Sequence, residues 1–369
     1  MGPRLTNLTD KENVYLYPAS DSEKIDKLLD KTDLYLDINY GGEVDGVFNG
    51  LVEKNIPSFA FYKTQNGEKG QYLFSIKNVD TMVVAIRNYA ETKQLPNKPF
   101  DFEVQTIDET LDYILEHQSS IARFGDGEAA IMLGQSINYQ KSDPKLAEEL
   151  KFIFNQESSP TLVIGLQDGL KNRFSFVPDA LAFWRQYLED YEGFYLEYCK
   201  NSWYGSTFIS RPYIDFLDKS KAKSQFEKLK KLWEGRDILI VEGYASRSGV
   251  GNDLFDGANS IKRIICPSRH IYDKKDEIME EILNHADGRL VLLMLGPTAK
   301  VLAYQLATKG MQAIDIEHVD FEYEWMQMGA ETKFLLQNKH TAEFNLDTEI
   351  ELADDEAYLS QIVVDLSTK

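Results

Sequence analysis

The chain has 369 residues, 43% hydrophobic and 12% aromatic, which is enough apolar mass for two folded domains and excludes wholesale disorder. Sixty acidic residues against 40 basic ones leave a net charge of −20, a field that repels nucleic-acid phosphates and argues against nucleic acid as a partner. The same field opposes a nucleotide pyrophosphate, so a nucleotide site here needs local relief from a divalent cation, an arginine or a helix N-terminus.

After a polar start, a strand is expected at Asn13–Pro18 and a helix at Ser20–Asp30, capped by Ser20 or Asp21. Strand Leu34–Ile38, helix Glu43–Lys54, strands Pro57–Tyr62 and Gln71–Ile76, and helix Val79–Thr92 complete a small parallel α/β unit, about half a nucleotide-binding domain by length. It carries neither a GxGxxG fingerprint nor a P-loop. Lys93–Phe102, with Pro96 and Pro99, reads as the linker. A larger unit opens with helix Ile107–His117 and strand Ile121–Phe124. Helix Pro144–Phe154, capped by Asp143, strand Thr161–Leu166 and the aromatic helix Pro178–Tyr198 follow. The pattern repeats as helix Lys219–Trp233 and strands Ile238–Val241 and Ile261–Cys266. Helix Asp273–His285, strand Leu290–Leu295, helix Pro297–Lys309 and strand Ala313–Ile316 close it. The expected domains are 1–98, 103–335 and an acidic arm, 336–369, that packs at an edge. Cys199 and Cys266 give neither a disulfide framework nor a metal spacing, and suit a reducing compartment. The first residues, Met1 to Thr6, lack the apolar stretch of a secretory signal, and Leu290–Leu295 is too short to span a bilayer. A cytoplasmic location without a transmembrane segment is expected.

The sharpest local feature is Arg123-Phe124-Gly125-Asp126-Gly127-Glu128, where an apolar strand ends in a glycine-flanked turn bearing two carboxylates. If that segment stays extended, Asp126 and Glu128 point to one side and repel, which a hard divalent cation relieves. Gly125 and Gly127 would let a ligand approach, and Arg123 would meet a phosphate or hold a carboxylate. A solvated turn explains the same letters. Glu242 to Asp253 follows another strand; Ser246 and Arg247 suit an anion nest, with Asn252 or Asp253 capping a helix, and a plain capped loop is the alternative. At Leu295-Gly296-Pro297-Thr298-Ala299-Lys300 a helix starts with Pro297, leaving N–H groups near Thr298 able to face a diphosphate or simply to pack.

His318-Val319-Asp320-Phe321-Glu322-Tyr323-Glu324-Trp325 lies beyond the last strand, where ligands gather in open α/β sheets. Its histidine and acids offer a general base, a metal ligand or a sugar-hydroxyl acceptor, or else an acidic helix start. Asn201 to Thr207 mixes aromatic faces with polar groups, suited to sugar or uracil contacts or to core packing, and the stripe Phe183, Trp184, Tyr187, Tyr191 reads as core.

In this order, Arg123–Glu128, Val241–Phe255, Ile261–Pro267, Leu295–Leu302 and Ala313–Ala330 resemble the GT-D-type glycosyltransferases, a bacterial family with a Rossmann-like fold and a D-x-E motif. The resemblance implies an α/β chain with a Rossmann-like GT-D-type catalytic domain after a smaller α/β domain. It implies a UDP-sugar donor, often UDP-glucose, a Mn²⁺ (or Mg²⁺) ion, and Asp126 and Glu128 as essential acids holding that ion. Family members tend to carry a charged pair where this chain has Tyr244-Ala245. The N-terminal unit, especially Leu34 to Gly41, is similar to accessory regions of streptococcal and lactobacillar adhesin-glycosylating enzymes, which implies a docking or acceptor-recognition module.

The expected reaction moves a sugar, glucose by family habit, to a glycan or glycoprotein acceptor. The cation would bridge the diphosphate, Arg247 and the N–H groups near Asn252 or Thr298 would add positive potential, and Asp320, Glu322 or Glu324 would orient or deprotonate the acceptor. Arg123, Gly125, Ser246, Asp253 and His318 complete the expected donor contacts. A non-catalytic module binding carbohydrate or a partner glycosyltransferase, and a metal-dependent phosphohydrolase, compete with this reading. Assembly with a second copy or with a partner glycosyltransferase stays open.

Overall fold

The computed structural model describes residues 22–42, 46–67, 71–96, 100, 102–171, 175–340 and 355–367; the expected strand Asn13–Pro18 lies outside them. Two compact units meet in sequence between Pro99 and Phe100, within the expected linker.

The first unit runs α1 (Ser22–Leu29), β1 (Tyr35–Asp37), α2 (Val47–Glu53), β2 (Ser58–Phe61), β3 (Gln71–Phe74) and α3 (Val79–Thr92). Its described strands pair in parallel in the order β1-β2-β3. Leu29, Val47, Phe48 and Leu51 form one apolar cluster, and Phe59, Phe74 and Met82 a second. Asp37, fully buried at the end of β1, accepts from the Asn66 backbone N–H at 2.6 Å and from Gln71 Nε2 at 3.0 Å, which ties the loop after β2 to the strand ends.

The second unit begins β4 (Glu103–Val104), α4 (Ile107–His117), β5 (Ser120–Arg123), α5 (Asp126–Met132), α6 (Pro144–Phe154), β6 (Leu162–Leu166), α7 (Pro178–Tyr198), β7 (Trp203–Ser206) and α8 (Ala222–Lys230). It continues β8 (Asp237–Gly243), β9 (Ser260–Cys266), α9 (Lys275–Ala286), β10 (Leu290–Met294), α10 (Pro297–Thr308), β11 (Ala313–Asp315), α11 (Val319–Gln327), α12 (Glu356–Gln361) and β12 (Ile362–Asp365). Among the described residues the sheet has nine strands, all pairing in parallel, in the order β12-β9-β8-β10-β11-β5-β6-β7-β4. The chain moves outward from β8 to β9 and then returns to the other side of β8 with β10. That reversal opens a crevice at the carboxyl ends of β8 and β10, where ligands of open α/β sheets sit. A second reversal lies between β11 and β5, which share one register pair, Ile314 with Ile121.

Local sequence explains most of these elements. Thr106 and Glu109 form a capping box on α4, and Asp143 caps α6 through the N–H groups of Lys145 and Leu146. Two expectations on the aromatics resolve or change, and the acidic arm lies at an edge as expected. Trp203–Ser206 is a strand inside the sheet, and Tyr204 is wholly buried against Phe102 and Phe154, so these aromatics pack rather than greet a sugar. In the aromatic stripe Trp184 and Tyr187 are buried, while Phe183 is 46% exposed on the outer face of α7. The C-terminal arm supplies an edge strand, β12, paired with β9. Among the described residues no helix is long and apolar enough to cross a membrane.

Candidate active site

Gly125, two residues beyond β5, is extended and caps α5, and Asp126 is already the first residue of that helix. The expected extended turn is therefore a helix start, and Asp126 and Glu128 do not share one face as strand neighbours would. Glu128 turns back to accept the Gly125 N–H at 2.7 Å, as the third-residue acid of a helix start commonly does. Its carboxylate fills the space over Gly125, where an added Cβ would meet Glu128 Oε2 at 3.1 Å, so a ligand does not occupy that space. Asp126 is exposed and Glu128 is 6% exposed.

Beneath this turn lies a buried charge cluster. Lys300 Nζ, on α10, stands 3.1 Å from Glu128 Oε1, 3.2 Å from Asp315 Oδ2 and 3.8 Å from Glu317 Oε2, and it donates to the Gly296 carbonyl at 3.0 Å. Burial works against the Lys300 charge, but Asp315, Glu128 and Glu317 outweigh it and hold the ammonium protonated. Burial likewise opposes the Asp315 charge, and Lys300 with Arg123 more than compensates, holding its carboxyl below the usual range. Glu317 differs: burial raises its carboxyl above the ordinary range despite Lys300.

Arg123 is spent on protein acceptors. It pairs with Asp315 at 3.2 Å and donates to Ser210 Oγ at 2.6 Å and to the carbonyls of Thr207 and Glu317. It holds a carboxylate, as one of its two expected roles required, and the phosphate role is corrected because the guanidinium is buried within the sheet end. The Arg123–Asp315 pair stitches β5 to β11 where the strand ladder is thinnest.

A cavity enclosing about 770 Å³ of empty space, its open mouth included, sits over the β8/β10 crevice. Gly243, Tyr244, Ser246 and Ser248 line it after β8, Ser268 and Ile271 after β9, Leu295 to Pro297 after β10, and Glu317 to Phe321 after β11. Tyr139, Gln140 and His340 complete the wall. His318 in the lining has a left-handed backbone that side chains rarely tolerate (φ 73), as do Ala245 (φ 66) and Arg247 (φ 48) in the loop after β8 that interleaves with the lining residues. Such strain gathers at ligand sites because packing elsewhere offsets it. Gly296 (φ 54) lets the chain swing from β10 into α10, whose N-terminus borders the cavity. Thr298 Oγ1 in that first turn is fully buried and has no hydrogen-bond partner among the described residues.

The expected donor contacts divide. Ser246, His318 and Asp320 line the cavity. Asp320 accepts there from the Gly249 N–H at 2.7 Å, Asn252 Nδ2 at 2.9 Å and Lys339 Nζ at 2.7 Å. These bonds make it an anchor of the loop after β8, a structural part beside the catalytic one expected of it. Asn252 caps no helix: the loop continues in turns, and its amide bridges Asp320 and Glu324. Asp253 is exposed and pairs with Lys230 at 2.9 Å and Tyr323 Oη at 2.7 Å. Arg247 is buried with its guanidinium 4.7 Å from the Tyr358 ring, so its charge is stacked on α12 rather than presented in the cavity wall. Glu322 points the other way from Asp320 on α11, as a two-residue step on a helix demands. It is fully buried, accepts the Ile214 N–H at 3.2 Å and lies 3.5 Å from Arg211, so it does not reach an acceptor hydroxyl. Burial pushes its carboxyl up to about 7 against the pull of Arg211.

Residues missed from sequence are Lys300, Asp315, Glu317, Lys339 and Arg211. A lysine inside the apolar run Ala299-Lys300-Val301-Leu302-Ala303 was the available signal, since a buried lysine needs acids around it.

The parallel sheet, its reversed strand order and the cavity over that reversal define an open α/β protein of the kind that takes its ligand at the carboxyl ends of its strands. The sequence profile of the glycosyltransferase GT-D fold matches residues 121–344, and the chain belongs to that family. The C-terminal domain of the GftB/GlyA-F group matches residues 1–101. Glycosyltransferase GlyD of Streptococcus pneumoniae is 52% identical over 98% of this chain and 45% of its own length. A probable glycosyl transferase, Gly, of Streptococcus gordonii is 47% identical over 98% of this chain and 53% of its own. The chain spans about half the length of these curated relatives. A solved structure described as a new glycosyltransferase from Streptococcus sanguinis superposes with a TM-score of 0.71 at 52% identity, covering 72% of this chain and all of that one. A short match, 38% over 64 residues, joins this chain to a GtfB protein of Streptococcus parasanguinis that stabilises a peptide N-acetylglucosaminyltransferase.

Proposed function

We propose that the larger unit transfers a sugar from a UDP-sugar, glucose being the first candidate, to a glycan or glycoprotein acceptor with the help of a divalent cation. The observation that carries this reading is the cavity itself. It lies at the strand reversal and is bordered by the N-terminus of α10, whose first turn also holds the buried Thr298 hydroxyl, without a hydrogen-bond partner among the described residues. Helix N–H groups supply the positive potential that a chain with net charge −20 otherwise denies a diphosphate.

The two acids of the turn are not preset for a divalent cation: they leave different sides of α5 and neither is in the cavity lining, so Asp126 is the more accessible ligand and Glu128 the more engaged one. Among the described residues no three acids, histidines or cysteines form a ready cage. Nucleotide enzymes hold Mg²⁺-like ions by one or two carboxylates, with substrate phosphates completing the shell. Asp126 offers an exposed carboxylate. Glu128 has about four lone-pair sites, and the Gly125 N–H and Lys300 use only part of them. Asp126 and Glu128 would hold the ion, whose chemistry is charge neutralisation on the departing diphosphate.

The first unit serves as a docking or acceptor-recognition module, a reading supported by its match to the GftB/GlyA-F C-terminal domain. The stabilising role of the GtfB relative makes a partner glycosyltransferase the occupant to test first. Titration calorimetry of the full chain with UDP-glucose, with and without Mn²⁺, tests the donor site. Saturable binding that tightens with the metal is expected; a flat titration under both conditions rejects a nucleotide-sugar enzyme.

A further inference from the structure

Arg211 ends the short helical turn Thr207–Ser210 that follows β7. Its guanidinium is aimed by Asp215 at 2.9 Å and flanked by Glu322 at 3.5 Å. Thus oriented, Nη1 stands 3.3 Å from Nδ1 of His318. A guanidinium has only donors and keeps its charge, so a ring nitrogen facing it must offer a lone pair. Nδ1 is therefore bare, and the one proton of the neutral imidazole sits on Nε2. A doubly protonated ring would set N–H against N–H and cation against cation. Burial, with Arg211 next, also drives the His318 ring well below its ordinary protonation range.

The opposite edge of the ring turns toward Glu317, another residue of the cavity lining. His318 Nε2 stands 3.6 Å from Glu317 Oε1, beyond hydrogen-bond reach. Phe321 braces the ring at 5.0 Å, and the left-handed backbone of His318 (φ 73) fixes where the side chain leaves α11. The Nε2–H is thus a positioned donor without a close protein acceptor at Glu317.

We propose that Arg211 locks His318 as the Nε2–H tautomer, making His318 a hydrogen-bond donor to a ligand oxygen in the cavity and Arg211 its positioning residue. This takes His318 out of the general-base role: Nδ1 is occupied and Nε2 already carries its proton. The identity of that oxygen, a phosphate oxygen of the donor, rests on the function proposed above; the tautomer does not.

Two measurements on the full chain test it. In a two-bond ¹H–¹⁵N spectrum of histidine-labelled protein, which has five histidines, the His318 signal is assigned by its loss in His318→Gln. The Nε2–H pattern is expected in the unmodified chain, with a mixture of tautomers in Arg211→Gln. An Nδ1–H pattern, meaning the ring is turned over, or an unchanged pattern in Arg211→Gln overturns the proposal. Second, UDP affinity is compared between His318→Gln, whose amide reaches the Nε2 position, and His318→Asn, whose amide reaches only Nδ1. The glutamine variant is expected within about threefold of the parent and the asparagine variant at least about tenfold weaker, the loss of one hydrogen bond to a charged group. Equal affinities of the two variants overturn the donor role. Failure of the parent chain to bind UDP instead refutes the donor site proposed above, while the tautomer pattern still decides the lock.

Discussion

Lys300 Nζ lies 3.1 Å from Glu128 Oε1, so the second acid of the Asp126-Gly127-Glu128 turn meets a fixed protein cation. The same ammonium reaches Asp315 at 3.2 Å and the carbonyl of Gly296 at 3.0 Å. One buried charge thereby ties α5, β11 and the start of α10 together at the carboxyl end of the sheet.

Replacing Lys300 by Met leaves Glu128, Asp315 and Glu317 facing Arg123 alone. Breaking a buried charge network from one side costs about 3–5 kcal/mol. Urea unfolding is expected to show a loss of that size for Lys300→Met. A loss below about 1 kcal/mol would mean that the ammonium adds no more than a surface pair.

Glu322 supplies a pH signature. Its folded carboxyl is raised from 4.5 to about 7, so the folded state holds a proton that the unfolded state releases. The resulting stabilisation is present below the unfolded value and is lost as pH rises through about 7. Glu322→Gln cannot ionise and escapes that loss. The melting temperature of the variant, relative to the parent, is expected to climb between pH 5 and pH 8; a difference independent of pH in that window contradicts the assignment.

Gly169 is pressed against the indole of Trp184, where an added Cβ would lie 2.3 Å from Cδ2. The indole is buried and cannot retreat freely. Gly169→Ala is expected to cost about 1–3 kcal/mol by overpacking, read from denaturant midpoints, while Gly134→Ala probes a different case, left-handed backbone (φ 80) with open space around it. If Gly169→Ala unfolds at the parent midpoint, the contact with Trp184 is not tight.

Tyr358 on α12 lies beneath two guanidiniums, 4.7 Å from Arg247 and 4.8 Å from Arg263. Arg263 in turn pairs with Glu242 at 2.6 Å and donates to the Ser248 carbonyl, so the C-terminal arm supports the cavity loop after β8. Tyr358→Ala is expected to cost about 3 kcal/mol and to speed amide exchange across Ser246–Gly251. Unchanged exchange there would separate the arm from the loop.

The sequence exposed the helices well, because Ile107–His117, Val79–Thr92 and Pro178–Tyr198 each combine periodicity with a cap, a proline or a clear stop. The short strands at Glu103–Val104 and Trp203–Ser206 escaped, since two to four residues are too few to carry a period of their own. Spacing singled out the loops after β8, β10 and β11, which border the cavity, and the turn after β5, which is not in its lining, but it misjudged side-chain direction. Asp126 begins a helix rather than continuing a strand, which turns Glu128 inward, and the helical step from Asp320 to Glu322 sends the second acid into the core. The partners that decide those directions, Lys300 and Arg211, lie 172 and 111 positions away from Glu128 and Glu322 in sequence, and only the fold brings them close.

The most direct test of the whole account is UDP release from UDP-glucose, measured for the parent chain with Mn²⁺, after chelation, and for Asp126→Asn. Asp126 is exposed at the first turn of α5, so the variant is expected to keep its fold, verified by an unchanged melting temperature. The account predicts metal-dependent release that falls by about 10²-fold or more in the variant, the scale on which a positioned charge acts at a transition state. Equal release by Asp126→Asn and the parent, or release indifferent to chelation, would contradict it.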